Sequence, residues 1–449
     1  MREMTAFQRD FGKFYRGRYV VPASWQTCLS IGGPLGQALG AVFAAVPMDL
    51  YGRKTTFFIC VLITSMCVAI QFFARTIHVL LIGELLSGLV LGSYVVVAPT
   101  CASEICPVVL RGTLTSFTNA AFVVGQLLAN IVVSRTAVLN SHWAYSLPFA
   151  VQWVWPAIIV PLIVFAPESP WWLVQQGKTS EAQAALTVLD YSKVDAESEL
   201  ALIQETIAHE LTTQVAASYF DCFSSSNARR TEIAVGVYCS QVLSGIYITG
   251  LVPQYFELAG LTTQRAFEIS EVMLLTGLLG TVLSWSLTDR LGRRTLLLYG
   301  LMILTAIQLM IGILDCRTFF SADRVVIWSQ AVLMIVWNFF YGVSLGPVCF
   351  TILGEVPSTV MKAKTIALAT AVQAAIGMVM TYLLPLIIAA DGLALQGKIG
   401  FVFAVTSAIC CVWAYYRVPE TAGKTYKELD ILFSKNVDAR AFNSYRIVI

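Results

Sequence analysis

The sequence predicts an all-α membrane protein that crosses the bilayer eleven times in two similar helical bundles. Three observations carry this. Only 12% of the 449 residues are charged and 57% are hydrophobic, with a mean hydropathy of +0.72, whereas a soluble domain holds about 25% charged residues. Apolar stretches of about 20 residues, enough to cross the hydrocarbon core, recur along the chain. Short charged motifs return in the same order in the second half. This composition excludes a soluble enzyme and a disordered tail. It also excludes a nucleic-acid binder, which would carry a clustered basic excess rather than a net charge of +2.

Residues 1–23 come first. They hold Arg2, Glu3, Arg9, Asp10, Lys13, Arg16 and Arg18, too many charges for a span or a signal peptide. Spans are expected at 24–48, 56–74, 79–102, 114–134 and 144–165, which form an N-terminal bundle over 24–165. A polar central loop follows at 166–231, with amphipathic linking helices at 176–218. Six more spans, at 232–252, 268–287, 296–314, 325–350, 365–389 and 397–416, build a C-terminal bundle over 232–416, and 417–449 is a tail. Interruptions such as Ile31-Gly32-Gly33-Pro34 mark helices that pack closely or bend. The eleven Cys are scattered, without a CxxC pair, and read as small buried hydrophobes.

Lys and Arg near span ends set the orientation. A cytoplasmic central loop and tail gather 18 of these cations inside, against 6 in the outer loops. The exceptions are the five N-terminal cations, which fall outside because the first of the eleven spans must run inward. Either that terminus is translocated against its charge, or a segment that preceded it is absent.

The repeat has three parts. Asp49-Leu50-Tyr51-Gly52-Arg53-Lys54 returns as Asp289-Arg290-Leu291-Gly292-Arg293-Arg294. Glu104-x-x-Pro107-x-x-x-Arg111 returns loosely as Glu355 followed by Lys362, and Pro167-Glu168-Ser169 as Pro419-Glu420-Thr421. Parallel duplication of a six-span unit is a transporter architecture, with the substrate held between the halves near the midplane. Seven residues separate Glu104 from Arg111, about 10.5 Å along one helix, so each must reach a neighbouring element. Asp49, Arg53, Glu104, Arg111, Glu168, Asp289, Arg293, Glu355, Lys362 and Glu420 are therefore expected to form cytoplasmic charge locks between the halves.

These motifs, with Pro167-Glu168-Ser169-Pro170-Trp171-Trp172-Leu173 and Pro419-Glu420-Thr421-x-Gly423-Lys424, resemble those of the sugar porters of the major facilitator superfamily. Other stretches resemble more narrowly the fungal α-glucoside (maltose-type) permeases: Pro22-Ala23-Ser24-Trp25-Gln26, Pro148-Phe149-Ala150-x-Gln152-Trp153, Arg229-Arg230-Thr231-Glu232-Ile233-Ala234 and Glu428-Leu429-Asp430-Ile431-Leu432-Phe433. The resemblance implies the major facilitator fold, with residues 1–23 as the outer loop that follows a first span. It implies a sugar substrate (an α-glucoside such as maltose, or a hexose), protons as a second partner, a monomer in the plasma membrane, and neither cofactor nor metal. It also implies substrate contacts at Gln126 and Gln241, and a weaker one at Gln373. Tyr247 stands where many members have Asn, and Phe350 where many have Trp. Amides suit hydroxyl groups because they both donate and accept, and aromatic faces cover the apolar side of a sugar ring.

Acids inside spans are costly and usually functional, which makes Glu84 the candidate proton carrier and sets Glu271 near the outer interface. Where the α-glucoside permeases commonly have an acid in the second span and an Arg in the eleventh, this chain has Gln37 and Thr370. A facilitator or exporter of another small molecule, a non-transporting sugar sensor and a non-functional truncated copy remain as alternatives.

Overall fold

The computed structural model describes residues 5–15, 18–137, 139, 141–189, 193–213, 218–224, 227–258, 260–318, 324–388, 396–442 and 445. Arg2, Glu3, Arg16 and Arg446, which entered the charge reading, lie outside them. Eleven helices among the described residues are long and apolar enough to cross a membrane.

The chain opens with α1 (Thr5–Phe11) and an antiparallel hairpin, β1 (Lys13–Tyr15) and β2 (Arg18–Val20), with Phe14 opposite Tyr19. This segment is docked. Ala6 and Phe7 are buried with Leu29, Leu80, Ala144 and Phe149, and the Tyr145 hydroxyl donates to Asp10 Oδ2 at 2.9 Å. The first bundle follows as α2 (Ala23–Tyr51), α3 (Arg53–Phe72), α4 (Ile77–Ile105), α5 (Val108–Thr136), and α6 (Trp143–Ala150) with α7 (Val154–Phe165). Next come α8 (Pro170–Gln175), α9 (Thr179–Val188) and α10 (Lys193–Thr213). The second bundle comprises α11 (Ala228–Leu243), α12 (Val252–Leu258), α13 (Thr263–Leu291), α14 (Arg293–Thr318), α15 (Arg324–Val343), α16 (Leu345–Glu355), α17 (Lys362–Ile388) and α18 (Ile399–Arg417), followed by α19 (Tyr426–Ser434).

Small residues decide which helices touch. Between apolar helices in lipid, close backbone approach replaces the hydrophobic drive. On α2 a Cβ at Gly40 would lie 1.8 Å from the Leu89 carbonyl oxygen of α4. The repeat is visible in space, because a Cβ at Gly342 of α15 would lie 2.3 Å from the Gly277 carbonyl oxygen of α13.

Two spans expected to be continuous are broken. The one beginning at 232 ends as an α-helix at Leu243, since Gly245 takes φ +101°, and continues as a 3-10 turn over Ile246–Leu251. The one expected at 325–350 is interrupted at Ser344, restarts through Pro347 and runs on to Glu355. Irregular backbone at membrane depth is tolerated where it is buried in protein or lines a cavity.

The halves meet along α2 with α17, α5 with α13, and α5 with α16. They are not equally wrapped. α11 is held by α17, α16 and α18, and at Gly377 of α17 a Cβ would meet the Tyr247 hydroxyl at 2.0 Å. Aligning Arg111 with Lys362 sets Gln126 of α5 against Gly377. Gln126 is exposed, and a Cβ at Gly125 would meet nothing within 4 Å.

Candidate functional site

A cavity of about 350 Å³ lies between the two halves, within the ~300–1,000 Å³ typical of small-molecule sites. α2, α4 and α5 contribute Gln37, Val95, Asn119, Phe122, Val123 and Gln126. The second half contributes Tyr238 and Gln241 from α11, Tyr247 and Thr249 from the 3-10 turn, Asn338 and Tyr341 from α15, Phe350 from α16 and Gln373 from α17. All five substrate residues expected from the resemblance, Gln126, Gln241, Tyr247, Phe350 and Gln373, are in this lining. The breaks explain two of them: Gly245 lets Tyr247 leave the helical path, and the restart after Ser344 carries Phe350 to the cavity wall.

The polar groups are held rather than loose. Gln373 Nε2 donates to Gln241 Oε1 at 2.9 Å, and Gln241 Nε2 donates to the Gly346 carbonyl at 3.3 Å. Phe350 lies face to face with Phe122 of the other half at 6.1 Å between ring centres and edge-on to Tyr238 at 5.7 Å. The lining is neutral: no Asp, Glu, Lys or Arg belongs to it among the described residues. Hydrogen-bonding amides and hydroxyls beside aromatic faces match a neutral polyhydroxylated ligand better than an ion.

Glu84 stands apart. It is half-buried beside Gly32 of α2, where a Cβ would approach its own at 3.7 Å, and it is absent from the cavity wall. Glu271 accepts from Ser134 Oγ at 2.9 Å, joining α13 to α5. Asn119 and Asn338 line the cavity and were missed in the sequence. Asn119 Nδ2 donates to Thr281 Oγ1 at 3.0 Å and Asn338 Nδ2 to the Met273 carbonyl at 2.6 Å. A side-chain amide within an apolar stretch was the signal that marked both.

The charge motifs assemble at the basic end, around the α2–α3 and α13–α14 turns. Gly52 has φ +89°, which only glycine adopts cheaply, and it joins α2 directly to α3. The Glu168 carboxylate then accepts from the backbone N–H of Arg53 at 2.9 Å and Lys54 at 3.1 Å, filling the N-terminus of α3. The second half repeats this: Gly292 has φ +85°, and Glu420 accepts from the N–H of Arg293 at 2.8 Å and of Arg294 at 3.1 Å. Beneath each turn the arginine enters the bundle. Arg53 forms a two-pronged pair with Glu104, both contacts 2.9 Å, and Ser169 Oγ donates to the same carboxylate at 2.5 Å. Arg293 meets Glu355 at 3.1 Å, and Thr421 Oγ1 donates to that carboxylate at 2.5 Å.

Two expectations are corrected here. Glu104 and Arg111 do not share a helix. Pro107 disfavours helical backbone in the residue before it, Cys106 is extended (φ −84°, ψ 137°), and α4 ends at Ile105. The Arg53–Glu104 and Arg293–Glu355 pairs, with Glu168 and Glu420, tie helices within one half and do not bridge the halves. The bridges are made by other members of the set and by the tail. Asp49 pairs with Lys364, Thr113 Oγ1 donates to Asp289 Oδ2 at 3.3 Å, and Lys362 Nζ donates to Ser103 Oγ at 3.2 Å. Tyr426 of α19 completes the closure. Its hydroxyl donates to the Ser103 and Gly354 carbonyls, one in each half, at 3.0 and 3.1 Å. The Arg111 guanidinium lies 4.0 Å from the centre of its ring.

A neutral, amide-lined cavity between two repeated helical bundles, closed at the basic end, defines a membrane transporter of small polar solutes. The sugar (and other) transporter family model matches residues 2–433, and the chain belongs to that family, as a major facilitator sugar porter of the maltose-permease type. It is 31% identical over 450 residues to the general alpha-glucoside permease of Saccharomyces cerevisiae, an alignment covering 98% of this chain and 72% of the relative. It is 32% identical over 454 residues to the maltose permease MAL31 of the same organism, covering 99% and 73%. Among solved structures, the proton:xylose symporter XylE bound to 6-bromo-6-deoxy-D-glucose superposes with a TM-score of 0.78 at 20% identity, over 91% of this chain and 89% of that one. The inward-open form of XylE from E. coli gives 0.65 at 19% identity, over 91% and 89%.

Proposed function

We propose that this chain carries a sugar, an α-glucoside such as maltose or a hexose, across the plasma membrane by alternating access between its halves. The observation that carries this reading is the convergence of Gln126 from one half with Gln241, Tyr247, Phe350 and Gln373 from the other on one neutral cavity. Asp49–Lys364, Lys362–Ser103 and Tyr426 act in this reading as the cytoplasmic lock that holds the closed end and parts when the site faces inward. The absence of a carboxylate from the described cavity wall supports transport that runs down the sugar gradient without proton coupling. Glu84 is then a packing residue of the α2–α4 interface.

The test is uptake of labelled maltose and labelled glucose into proteoliposomes holding the full chain under an imposed inward proton gradient, with and without an uncoupler. Saturable uptake that the uncoupler leaves unchanged is expected. Uptake abolished by the uncoupler would overturn the uncoupled mechanism and make Glu84 the proton carrier. Binding of either sugar without uptake would identify a sensor, and neither binding nor uptake would refute the sugar reading.

A further inference from the structure

Between the linking helices and α11 the chain passes through a short 3-10 turn, Tyr219–Phe223. Ser218 N donates to Asp221 Oδ2 at 2.7 Å, and that carboxylate closes the start of the turn. The turn straddles the seam where α2 of one half meets α17 of the other. On the α17 side Cys222 is fully buried, its Sγ 3.9 Å from Thr365 Oγ1, and its carbonyl accepts from Thr231 Oγ1 at 2.8 Å. On the α2 side the Tyr219 hydroxyl donates to the Val42 carbonyl at 2.5 Å. Burial and the Asp49 carboxylate push that phenol up to about 12, so it stays a donor.

The remaining two aromatics point away from the protein, Phe220 at 85% exposure and Phe223 at 65%. Their surroundings identify what covers them. Val42 belongs to an exposed apolar stripe on α2, with Leu35, Leu39, Phe43, Val46 and Leu50, the spacing of one helix face. Val42 lies about 13 Å of helix rise before the end of α2 at Tyr51, and α2, with 29 residues, is about 13 Å longer than the ~30 Å hydrocarbon core, so this carbonyl sits near the boundary of the bilayer. A side chain that reaches this carbonyl holds its own backbone at the edge of the bilayer.

We propose that Tyr219–Phe223 is a membrane anchor, inserting Phe220 and Phe223 among the lipid acyl chains beside the α2 stripe and strapping the central loop across the α2–α17 seam. The occupant is phospholipid, because the exposed rings continue the lipid-facing belt of a spanning helix.

The experiment places the photoreactive residue p-benzoylphenylalanine at 220 or 223 of the full chain, reconstituted in phosphatidylcholine vesicles, and reads the adducts by mass spectrometry. Phosphatidylcholine adducts are expected at both positions and not at Val188, 66% exposed on α9. Adducts to protein alone, or probe recovered without an adduct at 220 and 223, would overturn the proposal. A second measurement guards against a misfolded probe variant. The double substitution Phe220→Asp, Phe223→Asp is expected to speed maleimide labelling of Cys222 by about tenfold, a factor equal to about 1.4 kcal/mol of opening, with buried Cys349 unaffected. Unchanged labelling of Cys222 would refute the strap.

Discussion

Replacing Glu104 with Leu is expected to be among the most damaging single changes in the first half. Its carboxylate takes two hydrogen bonds from Arg53 and one from Ser169, and the two charged side chains are 2% and 3% exposed. After Glu104→Leu the guanidinium keeps only the Met48 carbonyl, which it reaches at 3.1 Å. A buried charge deprived of its partner costs about 3–5 kcal/mol, and the orphaned Ser169 hydroxyl adds roughly 1 kcal/mol. At about 2–4 °C per kcal/mol for a unit the size of one bundle, Tm should fall by roughly 10 °C or more. The assay is the thermal loss of the monodisperse peak of the full chain in detergent. The double variant Arg53→Met, Glu104→Leu removes both charges, and apolar replacement of a buried pair is often neutral, so it should recover most of the loss. An E104L protein that melts like the parent would refute the reasoning. So would a double variant no more stable than E104L.

Three further outcomes are expected. Gln241→Ala leaves Gln373 and a substrate hydroxyl short of a partner, about 1–3 kcal/mol, so maltose or glucose uptake should fall by about 5- to 150-fold with the protein still folded. Gly52→Ala forces a side chain into positive φ, with its Cβ 2.3 Å from Glu168 Oε2; thermal stability should drop by at least the ~1–3 kcal/mol of such backbone strain. Asp49→Lys sets two cations across the α2–α17 seam and should impair uptake, whereas adding Lys364→Asp to the same chain should restore it.

The spans and their duplication were legible because length and apolarity are local properties of the chain, and the Asp-x-x-Gly-Arg motifs mark the turns directly. Partner choice was not legible. Asp49 pairs with Lys364 across 315 residues, and nothing in either neighbourhood names the other. The ten charged residues were recognisable as a set. Which of them tie one half and which cross between halves follows only from helix packing. The breaks in α11 and at Ser344 were hidden because apolarity runs straight through them, so Tyr247 and Phe350 reach the cavity by bends that hydropathy does not register. Asn119 and Asn338 were visible as amides, but an amide within a span serves packing as readily as binding.

At the two repeated turns, the carboxylate that fills the helix N-terminus also occupies the space a side chain on the glycine would need. A Cβ at Gly292 would lie 2.3 Å from Glu420 Oε2, the same clearance as at Gly52 with Glu168. In evolutionary terms, glycine and glutamate therefore behave at each turn as one inherited character. Losing Glu168 would clear the space at Gly52 but uncap α3, and the positive φ would still strain any side chain placed there. Neither single step is neutral, so descent through either one is blocked, and each half carries its own copy of the constraint.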